Sequence, residues 1–235
     1  MASEIKANKL SPATGTALEI GDSGDTVTLS GTGAGFPGFN KWTPVTATDT
    51  TFDLQSGTTK LIVEVQAAGG HGGTSDSGTR TGGPGGGGAY AKKLLTGMSD
   101  TDTLNITIGA AAGVAASGTT TSVASASGTS FTTITCTGGA GGTTASGSYA
   151  AGGAGGAVPT TGDLNIKGQD GAFTDHAQED VTGGNSMFGF GGQNAASTTV
   201  AGAGTGYGSG GQGGRGNTNA GAAGTPGIVI IWEYK

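Results

Sequence analysis

The sequence predicts an all-β protein: an antiparallel β-sandwich with long glycine-rich loops that form polyglycine-II-like helices, in a homo-oligomer. Three observations predict it. Short segments that alternate apolar and polar residues recur along the chain, and none has helical periodicity of useful length. Glycine supplies 53 of the 235 residues and lies between those segments. Several glycine tracts also step in threes.

The first element is a leader, residues 1–40, expected to attach and trimerise the chain. Ala17-Leu18-Glu19-Ile20 and Thr26-Val27-Thr28-Leu29 read as two short strands around a Gly21–Gly24 turn. Two strands cannot stand alone. Leu18, Ile20, Val27 and Leu29 are expected to meet around a trimer axis, and a flexible leader is the competing reading. A glycine- and proline-bearing junction, Gly31 to Asn40, ends it.

The body, residues 41–235, follows from Trp42. Thr51 to Leu54 is a short strand. Lys60 to Gln66 is the clearest one, with Leu61, Val63 and Val65 on one face. Ala89 to Leu95 is weaker. Thr103 to Ile108 points Leu104, Ile106 and Ile108 inward. Phe131 to Cys136 is β-branched. Gly227 to Tyr234 is apolar on both faces, which predicts a central strand covered on both sides. Trp42, Trp232 and Tyr234 are expected in the core.

Between these strands lie glycine tracts at 82–88, 138–142, 152–156 and 183–216. Gly208 to Gly216 divides into Gly-X-Gly triplets with Ser209, Gln212 and Arg215 at X. Gly138-Gly139-Ala140-Gly141-Gly142-Thr143 and Gly152-Gly153-Ala154-Gly155-Gly156-Ala157 keep the same step. Three residues per turn is the repeat of the polyproline-II-type helix, which has no internal hydrogen bonds. Glycine keeps its N–H, so such helices can bond laterally and satisfy their backbones. Flexible linkers are the alternative.

Composition narrows the function classes. Only 11% of residues are charged, whereas a disordered solvating chain carries more. No Gly-X-Y period runs through the chain, which excludes collagen. Ordering each glycine costs about 0.5–1 kcal/mol more than ordering an alanine, so the tracts need dense backbone bonding, close packing or a partner. The net charge is -6 with no basic run, so no nucleic-acid partner is expected. Cys136 is the single cysteine, which leaves no intrachain disulfide and no cysteine-rich zinc site. Met1 to Leu10 has no apolar core, so no signal peptide is expected. No run approaches the roughly 20 apolar residues needed for membrane insertion. The chain is expected to be made in a cytoplasm and to work within something assembled there.

The quoted strands carry a resemblance. Thr51 to Gly73, the Gly85-Gly86-Gly87-Gly88-Ala89-Tyr90-Ala91 turn, Leu104 to Gly109 and Pro226 to Tyr234 resemble the glycine-rich domain of phage tail-fibre and tail-appendage proteins. Ser3 to Lys6 through Gly21 to Thr26 is similar to N-terminal segments of tail-fibre-like proteins from phages of marine bacteria. The triplet tracts resemble the polyglycine-helix sandwiches of fibre-tip adhesins in T-even-like phages, which have a different overall plan. The resemblance implies a virion location, homotrimerisation, partner tail or capsid proteins at the leader, and a host cell-surface receptor.

Catalysis finds little support. No Gly-X-Ser-X-Gly elbow joins a strand to a helix, and no Gly-Lys-Ser/Thr follows a glycine tract. Asp175, His176, Glu179 and Asp180 could ligate a metal, but their spacing matches no closed motif, and a solvated acidic loop is the preferred reading. Asp170, Asp175 and Asp180 are the carboxylates that polysaccharide cleavage would use. No enzyme activity and no cofactor are expected. Binding is better supported, because loops on rigid scaffolds carry recognition. Receptor contacts are expected from His71, Asp76 and Arg80 in one tip. The long region adds Phe173, His176, Met187, Phe188, Phe190, Tyr207 and Arg215. Packing against glycine backbone or a trimer neighbour competes for Phe188 and Phe190. An adhesin is the leading expectation. A non-binding fibre shaft or decoration is the second, and an ice-binding or matrix protein the third.

Overall fold

Runs of β-branched and aliphatic residues with two-residue alternation decide which segments become strands. The structure is a computed structural model, and it describes residues 38–76, 80–111, 113–146, 149–175, 181–193, 200–216 and 218–235. Among these residues it is all-β, with no helix. The strands are β1 (Phe39–Val45), β2 (Asp49–Asp53), β3 (Lys60–Gln66), β4 (Tyr90–Thr96), β5 (Thr103–Thr107), β6 (Thr121–Ser127), β7 (Ile134–Cys136), β8 (Tyr149–Ala150), β9 (Leu164–Ile166), β10 (Thr174–Asp175) and β11 (Ile228–Tyr234). One antiparallel sheet has the order β1-β11-β3-β4-β9 and a second the order β2-β5-β6-β7, while β8 and β10 form a short pair. The two larger sheets form a sandwich.

Alternation sets the core. Leu61, Val63 and Val65 of β3 and Val229 and Ile231 of β11 are fully buried, and they pack in one cluster with Leu104, Ile106, Val123, Ile134 and Cys136 of the facing sheet. Each such side chain contributes about 1.5–3 kcal/mol. The Cys136 Sγ donates to Val65 O at 3.3 Å, and burial pushes its thiol up to about 12, so it is a packing group. Glu233, also inward, accepts from Gln55 N at 2.6 Å and Thr58 Oγ1 at 2.9 Å.

Several expectations are corrected here. The 228–234 strand is central, between β1 and β3, but among the described residues its outer face is only partly covered. Ile230, Trp232 and Tyr234 point away from the second sheet and are half-buried. Trp42, expected in the core, is 47% exposed on that same outer face. The strand expected over 131–136 is confined to Ile134–Cys136. Strand β1 begins inside the junction assigned to Gly31–Asn40, and β6 was not foreseen because Ser and Ala fill most of it. Leu18, Ile20, Val27 and Leu29 lie outside the described residues. Residues 38–235 form one compact unit.

The glycine tracts prolong the strands. Residues 67–75 leave β3, 81–89 lead into β4, 137–145 leave β7, and 218–226 lead into β11. Their backbone bonds recur every third residue. Amides of Ala67, Gly70 and Gly73 donate to the carbonyls of Ala89, Gly86 and Gly83 at 2.9, 2.8 and 2.8 Å. Amides of Gly69, Gly72 and Ser75 donate to Thr225, Ala222 and Asn219 at 2.9, 2.9 and 3.0 Å. The third set turns another way, with His71 donating to Ala116 O at 3.0 Å. Two further neighbours donate to the carbonyls of this segment: Gly139 and Gly142 to Ala68 and His71, and Gly211 and Gly214 to Gly70 and Gly73. Residues 81–89 do likewise, donating from Gly82, Gly85 and Gly88 to Gly214, Gly211 and Gly208.

At its glycine positions such spacing has no room for a side chain. A Cβ at Gly70 would fall closer than 3.0 Å to Ala140 O, and one at Gly213 closer than 3.0 Å to Gly82 O.

Candidate functional site

The direction of the strands gives the body two ends. The Lys235 amide donates to Gly38 O at 2.9 Å, so the start of β1 and the end of β11 lie together. That is the end of the sandwich opposite the one from which the tracts leave. The far ends of the tracts form a second, distal end.

Four of the expected contact residues gather at that distal end. Asp76 and Arg80 close into an ion pair at 2.7 Å, both partly exposed. The Gly216 amide donates to Arg80 O at 3.2 Å, and Thr81 bridges Arg215 across the neighbouring tract. Asn219 Nδ2 donates to Arg215 O at 2.6 Å, its amide donates to Ser75 Oγ at 2.9 Å, and Ser75 Oγ donates to Gly216 O. Thr174 joins through its hydroxyl, which donates to Ala150 O at 2.8 Å and Thr81 O at 3.3 Å. Beside it Phe173 is 61% exposed. Ser and Thr hydroxyls thus tie separate tract ends by side-chain-to-backbone bonds, and they position Arg80, Arg215, Asp76 and Phe173 on a polar, mixed-charge surface.

Four others sit elsewhere. Phe188 and Tyr207 bridge each other, and Phe188 packs edge-on against Tyr90 of β4 with ring centroids 5.6 Å apart. The Met187 amide donates to Gln66 Oε1 at 3.2 Å. This group therefore lies at the sandwich end of the tracts, with Phe190 71% exposed beside it. His71 departs furthest from the tip expected for it. It is 7% exposed in the middle of its tract, and its Nδ1 lies 2.7 Å from Gly72 O. Its ring offers almost no surface. His176 lies outside the described residues.

The acidic alternatives take up other duties. Asp170 accepts from Lys167 Nζ at 2.7 and 2.9 Å and from the Gly155 amide at 2.7 Å. The lysine first and that amide second hold its carboxyl below the usual range. Among the described residues no group of three or more His, Cys, Asp or Glu is placed to hold a metal ion.

One surface was missed by sequence reasoning. Phe39, Trp42, Trp232 and Tyr234 form an aromatic cluster outside the five-stranded sheet, with Trp42 and Trp232 centroids 6.0 Å apart and Phe39 and Tyr234 also 6.0 Å apart. The available signal was the apolar run on both faces of 228–234. The chain matches no protein-family model and no curated protein.

Proposed function

We propose that the protein is a virion adhesin of the tail-fibre type. In this reading a homotrimer is held to other particle proteins through residues 1–40, the glycine tracts are laterally bonded polyglycine-II-like helices that act as a stiff spacer, and the distal ends touch a host-surface receptor. One observation carries the orientation: the body starts at Gly38 at one end, and Asp76, Arg80, Phe173 and Arg215 gather at the other. The every-third-residue bonding supports the spacer, because a segment bonded to several neighbours cannot swing as a linker does. The resemblance of the strands and tracts to tail-fibre domains supports the particle. Arginine and aromatic side chains on an otherwise side-chain-poor surface are the usual anchors of recognition.

The test uses the full chain, fluorescently labelled, on a panel of marine bacteria, with antiserum against it applied to phage grown on the strains it coats. Cell coating, antibody labelling of particle tips and blocked infection are expected. Labelled particles without any coating would leave a non-binding structural component. Neither coating nor labelling would remove the adhesin reading.

A further inference from the structure

The outer face of the five-stranded sheet is largely apolar: Met187 and Phe188 cover one end of it, over Gln66 and Tyr90, while Trp42, Leu94, Leu164 and Ile166 stay exposed. Alternation places Trp42 and Pro44 of β1, Ile230, Trp232 and Tyr234 of β11, Ile62 of β3, Leu94 of β4, and Leu164 and Ile166 of β9 on one side. Leu94 is 53% exposed and Phe39, at the corner, 58%. Across the register these residues form rows, such as Trp42–Trp232–Ile62–Leu94.

Three features decide what fits it. The first is size. Five strands about 4.8 Å apart and up to seven residues long at about 3.3 Å each cover roughly 500 Å² before side-chain relief is counted. That footprint includes the polar positions Glu64, Lys92 and Gln66; it is the size of the largest patches on monomers and below the share of about 800 Å² that each partner contributes to a standard interface.

The second feature is saturation. Glu64 lies at the middle of the face, and its carboxylate accepts from Tyr90 Oη at 2.6 Å and Trp232 Nε1 at 3.0 Å, with Lys92 Nζ at 3.6 Å. Burial, and then the Glu64 contact, raise the Tyr90 phenol well above its ordinary value. The polar groups at the centre already have partners, so the face offers a glycan or a peptide backbone few groups to bond.

The third feature is charge. The chain carries a net charge of -6, so most approaches of one copy to another bring like charges together. Here the acidic and basic groups within the face already pair, and Lys60 stands at the rim. Two copies can meet on this side without repulsion.

We propose that this face is the self-association surface of the protein, buried against the same face of one or two further copies. This rests on the oligomeric part of the proposed function and names the surface that makes it. It does not depend on receptor binding.

Both tryptophans of the chain, Trp42 and Trp232, stand on this face, so intrinsic fluorescence reports on it alone. The experiment is sedimentation velocity of the full chain over a concentration series, with acrylamide quenching at each point. A species of two or three chains is expected, with tryptophan quenching several-fold weaker than in Trp42→Glu/Leu94→Glu. That variant is expected to sediment as a monomer with unchanged far-ultraviolet dichroism. A monomer at every concentration overturns the proposal, and so does an oligomer whose tryptophans quench freely. A folded variant that keeps the oligomer overturns it as well. Should the variant not fold, the wild-type mass and quenching decide alone. A chain that assembles through this face yet coats no cell keeps the surface and loses the adhesin reading.

Discussion

The sandwich and the glycine tracts solve the same problem with opposite means. In the sandwich, Leu61, Val63, Leu104, Ile106 and Ile231 remove apolar surface from water, and the backbone ladder follows from their alternation. In the tracts the buried side chains are small or polar, such as Ala68, Ser209 and Gln212, and each backbone is hydrogen-bonded to several neighbours at every third residue. One region is stabilised by what its side chains bring, and the other by how little room its side chains take. A glycine is a weak point in β3, yet a required residue at 70 or 213.

The contrast can be broken most severely by hydrogen exchange. Amides of Gly70, Gly86, Gly139 and Gly211 are expected to exchange at least about a thousand-fold more slowly than free peptide, on the scale of the core amides of β3. Exchange at the rate of free peptide would dissolve the distinction. Next in size is Gly70→Val. It overpacks against Ala140 O and leaves lateral donors unpaired, and a loss on the order of 5 kcal/mol in urea denaturation is expected. A loss below about 1 kcal/mol would show that the tract yields. Leu61→Ala in the sandwich should cost about 2–5 kcal/mol by the same measurement.

Smaller again is Asp102→Asn. Burial alone would raise this carboxyl, but bonds from the Ser99 amide at 3.0 Å and the Thr129 amide at 3.1 Å outweigh it and lower its pKa below 3.8. A depressed folded value means stability that is present above the unfolded pKa and lost as pH falls through the folded one. The variant should therefore be about 1–2 kcal/mol less stable at pH 7, with the difference closing only in acid below pH 3.8. Last, Phe173→Ala should change stability by less than about 0.5 kcal/mol while weakening cell coating.

Much of the sandwich was legible because burial leaves a two-residue pattern. β3 and β5 fell where Leu61, Val63, Val65, Leu104 and Ile106 put them. β6 was not legible, since Thr121 and Val123 alone face inward and Ser and Ala fill the remainder. The three-residue step of the tracts was visible in Gly208 to Gly216, but which tract bonds to which is carried by backbones and leaves no mark on residue type. The candidate site shows the same divide. Asp76, Arg80 and Arg215 were singled out by type, and tract register brings them together. His71 has the same appearance in sequence but falls mid-tract, where the backbone buries it. Trp42 was placed inward because aromatic content signals burial and cannot say whether the cover comes from the same chain.

The three-residue recurrence also governs how such a protein can lengthen. Adding one residue to a tract would put every later donor out of step with the three-residue recurrence and aim it at the wrong neighbour. Adding three to an outgoing tract and three to its returning mate would keep the register of the partners and carry the terminal loop outward. Length can therefore change only in matched steps of three, like the teeth of a ratchet, while the β-framework beneath stays as it is.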